Sequence, residues 1–160
     1  MPFSASARAS ADFLTGRNPV DTPSNINLAA ERFTVNLTTA DLALISIGSV
    51  GILPAGAVPM FLEIDATDMD TNGTPTLAFS LGVVNDAETA ISTASADGGA
   101  AWLTGRQEGR AAGVSGLLTS AAMRAVQAAQ TDRKIGVQFT TGAATAAAGT
   151  LGVTLYFRMV

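Results

Sequence analysis

Apolar and polar residues alternate along the last part of the chain, residues 133–160. The apolar positions of this segment are Ile135, Val137 and Phe139, and then Leu151, Val153, Leu155, Phe157 and Met159. A period of two is that of β-strands with one face on a core. Between the two runs, residues 141–150 are nearly all Ala, Gly and Thr. The pattern predicts a half-buried β-hairpin whose connecting segment closes a sheet or contacts a neighbour.

The same alternation predicts more strands upstream. The first begins at Arg32, and others are predicted at residues 43–50, 59–65, 74–84 and 100–104. Residues 43–50 are apolar on both faces, which favours a central position in a sheet. The inward side chains of the other long strands are Phe33, Val35 and Leu37, then Met60, Leu62 and Ile64, then Leu77, Phe79, Leu81 and Val83. Residues 114–130 fit either an Ala-rich helix or an edge strand.

Short strands joined by segments rich in Gly, Pro and Asn are typical of sandwiches and jelly rolls. We therefore predict an all-β protein: a jelly-roll-like β-sandwich over residues 31–160 with an extended N-terminal arm at residues 1–30. The arm is small and polar, and Phe3 and the pair Phe13 and Leu14 stand out as its large apolar side chains. Because it has little to bury, we expect it to order only against a partner.

The amino-acid composition excludes most catalytic mechanisms. The chain contains no cysteine and no histidine, which excludes disulfides, thiolate nucleophiles, sulfur-based zinc sites and His-dependent triads. Glu63 and Asp65 share one face of a predicted strand, about 7 Å apart, a spacing that could serve glycoside hydrolysis. Trp102 and Tyr156 are the sole Trp and Tyr, so a solvated outer face is favoured over a sugar site. Lys134 could act as a base only beside a placed Ser. We predict no enzyme, no catalytic residues and no cofactor.

One motif resembles the start of a calcium loop. Asp68, Asp70 and Asn72 alternate and Gly73 follows, as in sites where oxygen ligands alternate before a sharp turn. The twelfth position, however, is Phe79, where the motif requires a bidentate Glu. Aspartates followed by Asn-Gly are also typical of loops between strands. We therefore predict a turn at residues 68–73 and no metal site.

The charge pattern points to protein partners. Charged residues make up 14% of the chain and apolar residues 48%, a low surface charge that fits either cover by other subunits or a soluble protein that is simply weakly charged. The net charge of −4, without a basic run, argues against nucleic acid. Arg is favoured in interfaces because its planar guanidinium is weakly hydrated, and residues 104–116 are predicted to form an exposed loop. The candidate interface residues are Phe3, Arg8, Phe13, Leu14, Arg17, Arg106 and Arg110.

Residues 42–62 are free of charge, as a membrane segment would be. Pro54 and Pro59 interrupt the stretch together with three glycines, so it is predicted to form a strand, a turn and a second strand. The first 11 residues lack the basic start and apolar core of a signal peptide. We expect a product of the cytoplasm that contacts no membrane.

Four stretches in a fixed order suggest a family. They are Ile-Gly-x-x-x-Ile-Leu-Pro-Ala-Gly at 47–56, Asp-x-Asp-x-x-Gly-Thr-Pro-Thr-Leu at 68–77, Asp-Arg-x-Ile-Gly-Val at 132–137 and Ala-Gly-Thr-Leu-Gly-Val-Thr-Leu-x-Phe-Arg at 148–158. Together they resemble the small head decoration, or cement, proteins encoded beside the major capsid protein in tailed bacteriophages. The similarity covers about residues 32–160.

The resemblance implies a jelly-roll-like fold and a location on the capsid exterior of a virion, after synthesis in the bacterial host cytoplasm. The implied partners are the major capsid protein of the phage head and the protein itself, as a dimer or trimer. The alternative is a ligand- or receptor-binding β-sandwich of a phage tail or fibre. A carbohydrate-binding module of that kind should show aromatic residues clustered on one face, whereas most Phe residues fall at predicted core positions.

Overall fold

The computed structural model describes residues 28–160, which form two antiparallel sheets of four strands each. The strands are β1 (Leu28–Leu37), β2 (Ile47–Leu53), β3 (Ala57–Ala66), β4 (Ala78–Val83), β5 (Leu103–Arg106), β6 (Gly113–Val114), β7 (Arg133–Thr141) and β8 (Gly149–Met159). Short helices are the α-helix α1 (Ala121–Arg124) and the 3-10 turns Thr39–Leu42, Ser95–Asp97 and Glu108–Arg110. The predicted all-β class is confirmed.

The two sheets are built from strands that alternate along the chain. Sheet 1 has the order β1-β8-β3-β6, and sheet 2 has the order β2-β7-β4-β5. An eight-stranded double sheet of this kind is a jelly-roll-like sandwich, as the sequence predicts. Since most connections pass from one sheet to the other, the apolar face of each strand is brought against the strands that precede and follow it.

The core lies between the sheets and is made by the predicted inward faces. The rings of Phe79 and Phe139 meet edge to face, with centroids 5.9 Å apart. Trp102 is also buried and donates from Nε1 to the carbonyl oxygen of Asp97 at 3.0 Å. The buried inward residues of β1, β4, β7 and β8 are Phe33, Val35, Leu37, Phe79, Leu81, Val83, Ile135, Val137, Phe139, Leu151, Val153, Leu155 and Phe157. Leu77, just before β4, is buried as well.

The predicted C-terminal hairpin is wrong. Strands β7 and β8 both exist, but β7 pairs with β2 and β4, whereas β8 pairs with β1 and β3. The segment between them crosses from sheet 2 to sheet 1. Alternation specifies which face of a strand is buried, not which strand lies beside it. Met159 is also 45% exposed, because it lies beyond the end of the core.

The predicted central strand at residues 43–50 is also corrected. Strand β2 begins at Ile47 and lies at the edge of sheet 2. All of its residues are nevertheless buried. The ring of Phe33 packs so closely over Gly51 that a Cβ atom there would lie 2.5 Å from it. An edge strand covered in this way is as apolar as a central one, so composition could not separate the two positions.

Several other strands and loops differ from their predicted positions for local reasons. Met60 is half-buried rather than inward, because the pairing of β3 with β8 slips between Pro59 and Phe61, and proline commonly marks such bulges. Strand β5 begins three residues later than predicted, and residues 104–116 contain strand and 3-10 turn rather than a single loop. Residues 114–130 supply both the end of the edge strand β6 and the one-turn helix α1.

The charge-free segment 42–62 forms β2, a turn at Pro54 to Gly56 and the first half of β3, as predicted. Across residues 28–160, no helix is long and apolar enough to span a membrane. Strand β1 already includes residues 28–30, which the sequence assigns to the arm. The rest of the predicted arm lies outside the described residues.

Candidate interaction surface

Four loops meet at one end of the sandwich, here called the loop end. They are residues 38–46, 67–77, 107–112 and 142–148, which join β1 to β2, β3 to β4, β5 to β6 and β7 to β8. The antiparallel register brings them together, since the end of β1 pairs with the start of β8 and the start of β4 with the end of β7. The loop end is therefore a composite surface made from distant parts of the sequence.

Asp70 holds the loop end together. Its side chain is buried and accepts four backbone N–H bonds, from Thr76 at 2.7 Å, Leu77 at 3.0 Å, Ala144 at 3.1 Å and Thr145 at 2.9 Å. Burial by itself would raise the pKa of the carboxyl group, but the four N–H bonds outweigh it and lower the pKa to about 2. Asp70 is thus an ionised side chain that joins two loops through hydrogen bonds, and this set of bonds is here called the Asp70 tie.

The loop 142–148 is fixed by hydrogen bonds because its small side chains offer little packing. The amide of Ala147 donates to the carbonyl oxygen of Met69 at 3.1 Å, and the hydroxyl of Thr76 donates to that of Gly142 at 2.8 Å. The side-chain amide of Asn72 donates to the hydroxyl oxygen of Thr145 at 2.9 Å. Ala144, Thr145 and Ala146 remain exposed. The result is an uncharged, ordered platform.

These contacts explain the calcium-like motif. Besides the four bonds at Asp70, the Asp68 carboxylate accepts the amide of Asp70 at 3.1 Å, and the Asn72 carbonyl oxygen accepts the amide of Thr74 at 2.9 Å. The alternating side-chain oxygens organise the backbone of a loop between strands. The predicted turn at residues 68–73 is present, and among the described residues no group of three or more His, Cys, Asp or Glu could hold a metal ion.

The two arginines predicted to reach a partner also have contacts within the chain. Arg106 forms an ion pair with Glu108. Arg110 donates to the carbonyl oxygens of Leu77 at 2.8 Å and Thr76 at 3.1 Å. The segment of Thr76 and Leu77 is therefore held by Asp70 through its amides and by Arg110 through its carbonyls. An interface role for the two arginines stays a prediction.

The most unusual backbone of the loop end belongs to Ile45. Its φ angle is +62°, in the left-handed region that β-branched residues rarely occupy. The turn is held by bonds from the amide of Ile45 to the carbonyl oxygen of Phe139 at 2.8 Å and from that of Ser46 to Ala43 at 3.0 Å. Leu44 and Ile45 are 59% and 61% exposed. The pair forms an apolar tip, the Leu44–Ile45 tip, that the strained turn pushes into solvent.

Other large apolar side chains are exposed elsewhere on the sandwich. Val114 and Leu117 lie beside the β6 edge of sheet 1, with Val114 80% exposed. Leu28, Met159 and Val160 lie at the end opposite the loops. Single exposed apolar residues are common on protein surfaces, whereas contiguous apolar patches mark contacts with other proteins.

The charged side chains singled out in the sequence are engaged by neighbours. Asp65 accepts two bonds from Arg32, at 2.5 and 2.8 Å, across the position of Gly152. Glu63 accepts the hydroxyl of Tyr156 at 2.9 Å, which raises the pKa of that tyrosine. Both carboxylates thus form cross-strand contacts on the outer face of sheet 1.

Lys134 and the candidate interface residues of the arm are the remaining positions that the sequence singled out. Lys134 forms an ion pair of 2.8 Å with Glu88, a structural contact between β7 and the loop after β4. The arm candidates lie outside the described residues; they are Phe3, Arg8, Phe13, Leu14 and Arg17.

Sequence reasoning missed Asp70 as a tie and the Leu44–Ile45 tip. An Asp that precedes a turn commonly accepts bonds from the backbone amides of that turn. The sequence therefore contained a signal for the Asp70 bonds to residues 76 and 77. Those to Ala144 and Thr145 join positions 74 and 75 residues apart, which no local pattern reveals. Leu44 and Ile45 resemble strand residues in composition, and only the position of β7 makes them a turn.

Comparison with known proteins identifies related folds. No protein-family profile matches the chain, and no curated protein sequence does. A chain in the structure described as the capsid of Ralstonia phage GP4 is 29% identical, with a TM-score of 0.75 over 94% of this chain and 96% of that chain. A chain of the cyanophage Pam1 capsid asymmetric unit is 20% identical, with a TM-score of 0.51 over 92% and 96% of the two chains; this second likeness concerns the fold alone. The predicted resemblance to a phage head-associated protein is confirmed.

Proposed function

We propose that this phage head-associated protein decorates and stabilises a capsid shell by binding the major capsid protein and copies of itself. The observation that carries the proposal is the 29% identity and shared fold with a chain of the GP4 capsid structure over almost the whole length of both chains. Because the likeness covers almost the whole of both chains, it supports a virion structural role for the sandwich as a whole and not for a single motif.

The surface of the sandwich supports a role in contacts. Its exposed apolar residues lie at the loop end, along the β6 edge and at the opposite end, so one copy offers several contact regions. The Asp70 tie keeps the loop end ordered before any partner arrives, which lowers the entropy cost of binding. We propose that the loop end, with its Leu44–Ile45 tip, faces the shell from the capsid exterior.

Self-association is the second part of the proposal. A dimer or trimer would cover apolar edges that one copy leaves open. The arm residues Phe3, Arg8, Phe13, Leu14 and Arg17 are of the types that anchor a segment when it meets a partner. Linking neighbours by such segments raises their effective concentration at the shell.

Neither a catalytic nor a sugar-binding role finds comparable support. Within residues 28–160 the carboxylates considered for catalysis bond to Arg32 and Tyr156. Of the described aromatic residues, Phe61 and Tyr156 alone are outside the buried class. They pair across β3 and β8, which is too small a cluster for a carbohydrate platform.

The direct test uses heads of the phage whose genome encodes the protein, prepared without it. Full-length protein is mixed with these heads and followed by co-sedimentation and cryo-electron microscopy. We expect saturable binding to outer sites and greater resistance of the heads to heat. Protein that stays in the supernatant at micromolar concentration contradicts decoration. A parallel reconstruction of complete virions with density for the protein on the tail, together with no binding to heads, would favour the receptor-binding alternative.

A further inference from the structure

The outer face of sheet 1 carries its side chains in rows that run across the strands. Residues paired directly across an antiparallel sheet project to the same face. Tyr156 of β8 pairs with Phe61 of β3, and two residues nearer the loop end Thr154 pairs with Glu63. Leu155, between the two rows, is buried in the core, so the four side chains lie on the opposite, outer face of the sheet.

The row of Tyr156 and Phe61 is an aromatic centre with a charge on either side. Both rings are half-buried, whereas the other described aromatic side chains are buried. Toward the loop end lies Glu63, which accepts the hydroxyl of Tyr156 at 2.9 Å. Two residues the other way along β8 lies Arg158, which is exposed. Neither Glu63 nor Arg158 forms an ion pair with another residue of the described part.

These two charges lie on opposite sides of the aromatic centre. Arg158 and Thr154 are four residues apart on β8, which is about 13 Å, and Glu63 is one strand beyond Thr154. Side chains in a sheet stand roughly perpendicular to it, so Arg158 and Glu63 project outward side by side. Each can therefore meet a charge on another molecule.

The remaining charges of this face are satisfied within the chain. The ion pair of Arg32 and Asp65 lies across Gly152 of β8, where a Cβ atom would be 2.5 Å from the Asp65 carboxylate. Because Gly152 has no side chain, the pair lies close against the sheet. Glu63 and Arg158 then leave one unpaired charge of each sign. A face with this balance of charges complements a second copy of itself.

The face is also large enough for a stable contact. Strands β1 and β3 have ten residues each, which is about 33 Å, and strands about 4.8 Å apart make the sheet about 19 Å wide. Two such faces packed together cover about 600 Å² on each copy, or about 1,200 Å² in total, which is the lower limit of specific protein interfaces. Val114 is 80% exposed and pairs with Asp65, so it lies on the same face and would be covered too.

A two-fold axis satisfies both unpaired charges at once, since a contact of residue i with residue j is repeated as j with i. If the axis runs across the strands at the row of Tyr156 and Phe61, Arg158 of each copy faces Thr154 of the other. Glu63 is then one strand spacing away, about 4.8 Å, within reach of the long arginine side chain. The aromatic rings meet at the centre, between two equal ion pairs.

We propose that the outer face of sheet 1 packs against the same face of a second copy about a two-fold axis, with Tyr156 and Phe61 at the centre and reciprocal ion pairs between Arg158 and Glu63. The proposal rests on the self-association part of the proposed function, for which it selects a pair of copies and names the surface. Linking by the arm would add to this contact and not replace it. Binding to the shell is not required.

The first test reverses the two charges separately in the full-length protein. Glu63→Arg and Arg158→Glu each bring like charges together at both contacts of a pair, so we expect each to raise the dissociation constant about tenfold or more. In an equimolar mixture, a pair with one copy of each variant again joins opposite charges at both contacts. The mixture should return the dissociation constant to within about threefold of that of the unmodified protein. Sedimentation velocity over a concentration series measures the constants, and native mass spectrometry identifies the mixed pairs.

Asp86→Arg is the matched control. It makes the same change of charge at an exposed position in the loop after β4, which covers the outer face of sheet 2 at Gly136. It should change the dissociation constant by less than about threefold, and mixing it with Arg158→Glu should restore nothing. Circular dichroism checks that each variant is folded. If neither reversal at the face weakens association, or if both do but their mixture does not recover it, the reciprocal contact does not exist and the proposal is wrong.

The second test uses the absence of cysteine in the chain. A residue on a two-fold axis lies beside its own copy, so a short bifunctional thiol reagent should join two chains of Tyr156→Cys to each other. Thr34→Cys is the control, because Thr34 is exposed on the same face and pairs with Gly152. It lies about 13 Å from the row of Tyr156, which places its two copies about 26 Å apart, and it should not be joined. Equal joining of the two variants would overturn the position of the axis.

The outcomes separate this proposal from the proposed function. A full-length protein that is monomeric at all concentrations removes self-association and this contact together. An oligomer that neither charge reversal affects removes only this contact. If a reversal abolishes attachment to heads and leaves the oligomer unchanged, the face serves the shell and the proposal is likewise wrong.

Discussion

Single side chains at the loop end decide how well its surface is ordered. Asp70 accepts four amides from two loops, and Ile45 holds a left-handed backbone. The first stabilises the platform, whereas the second costs free energy. Strained backbone persists only where the surrounding structure holds it, and it is commonly found at functional sites.

Asp70→Ala should destabilise the sandwich. The substitution leaves four amides without their acceptor, and unsatisfied buried donors cost about 1–3 kcal/mol each, although water will reach some of them. We expect a loss of about 3 kcal/mol in the free energy of unfolding in urea. Asp68→Ala, which removes a single bond of 3.1 Å made by an exposed residue, is the matched control and should cost less than about 1 kcal/mol. Equal losses would show that Asp70 is not the tie.

Stability should fall in acid through the same residue. The pKa of Asp70 is lowered from 3.8 to about 2 in the folded protein, so its stabilisation is complete above pH 4 and disappears as the pH falls from 4 to 2. A shift of this size corresponds to about 2 kcal/mol. Urea unfolding at a series of pH values measures it, and the Asp70→Ala variant should lack this component. An identical pH dependence in both proteins would contradict the assignment.

Ile45→Asn should stabilise the protein and weaken its attachment to heads. Asn tolerates the left-handed region better than a β-branched residue, for which this conformation costs about 1–2 kcal/mol. We expect a gain of about 1 kcal/mol in thermal or urea unfolding, together with reduced co-sedimentation if the tip contacts the shell. Thr39→Asn, on an exposed neighbour in the same loop, should leave attachment unchanged. Unchanged attachment of Ile45→Asn would remove the tip from the proposed contact surface.

Within the sheets, glycines mark the places where other chain segments approach most closely. A Cβ atom on Gly136 of β7 would lie 2.2 Å from Val84 and 2.9 Å from the carbonyl oxygen of Gly48 on the neighbouring strand. The loop after β4 can fold over sheet 2 only because this position lacks a side chain. Glycine in a strand interior is therefore a packing requirement here rather than a flexible point.

Gly136→Ala should destabilise sheet 2, since a backbone oxygen cannot move aside as a side chain can. Overpacking of this kind costs about 1–3 kcal/mol. Gly73→Ala is the control, because a Cβ atom there meets nothing within 4 Å, and its effect should stay within about 0.5 kcal/mol. Urea unfolding of the two variants measures the difference. If Gly136→Ala leaves the free energy of unfolding unchanged, Val84 and its loop can move aside to make room for the added methyl group.

The described part of the molecule combines an apolar core between two sheets with apolar residues exposed beside β6 and at both ends of the sandwich. The buried apolar residues of the described part form one cluster between the two sheets, and Val114 and Leu117 stay exposed beside β6. We therefore expect the sandwich to fold independently of residues 1–27.

Deletion of residues 2–27 should leave the sandwich folded. We expect the free energy of unfolding to change by less than about 1 kcal/mol, because residues 28–160 by themselves form an apolar core between two four-stranded sheets. Oligomerisation and attachment to heads should weaken clearly. Circular dichroism, light scattering and co-sedimentation give the three quantities. Loss of folding would show that the arm is part of the core. Unchanged oligomerisation and attachment would show that the sandwich makes all of the contacts.

The alternation of apolar and polar residues is enough to establish the class of the fold and most of its core. Alternation places Val35, Phe79, Val137 and Val153 inside, and all are buried, because a period of two fixes the buried face of a strand whatever its neighbours are. The absence of cysteine and histidine likewise limits the chemistry without any structure. The resemblance to phage head proteins also came from the order of the motifs.

The pairing of the strands and the strained places on the surface, in contrast, follow from the tertiary structure. Strands β7 and β8 belong to different sheets, β2 is an edge, and Asp70 reaches Ala144 and Thr145. Each of these facts depends on contacts between residues far apart in the chain. Local patterns record whether a side chain is buried, but the identity of the neighbour is set by the packing of the whole sandwich.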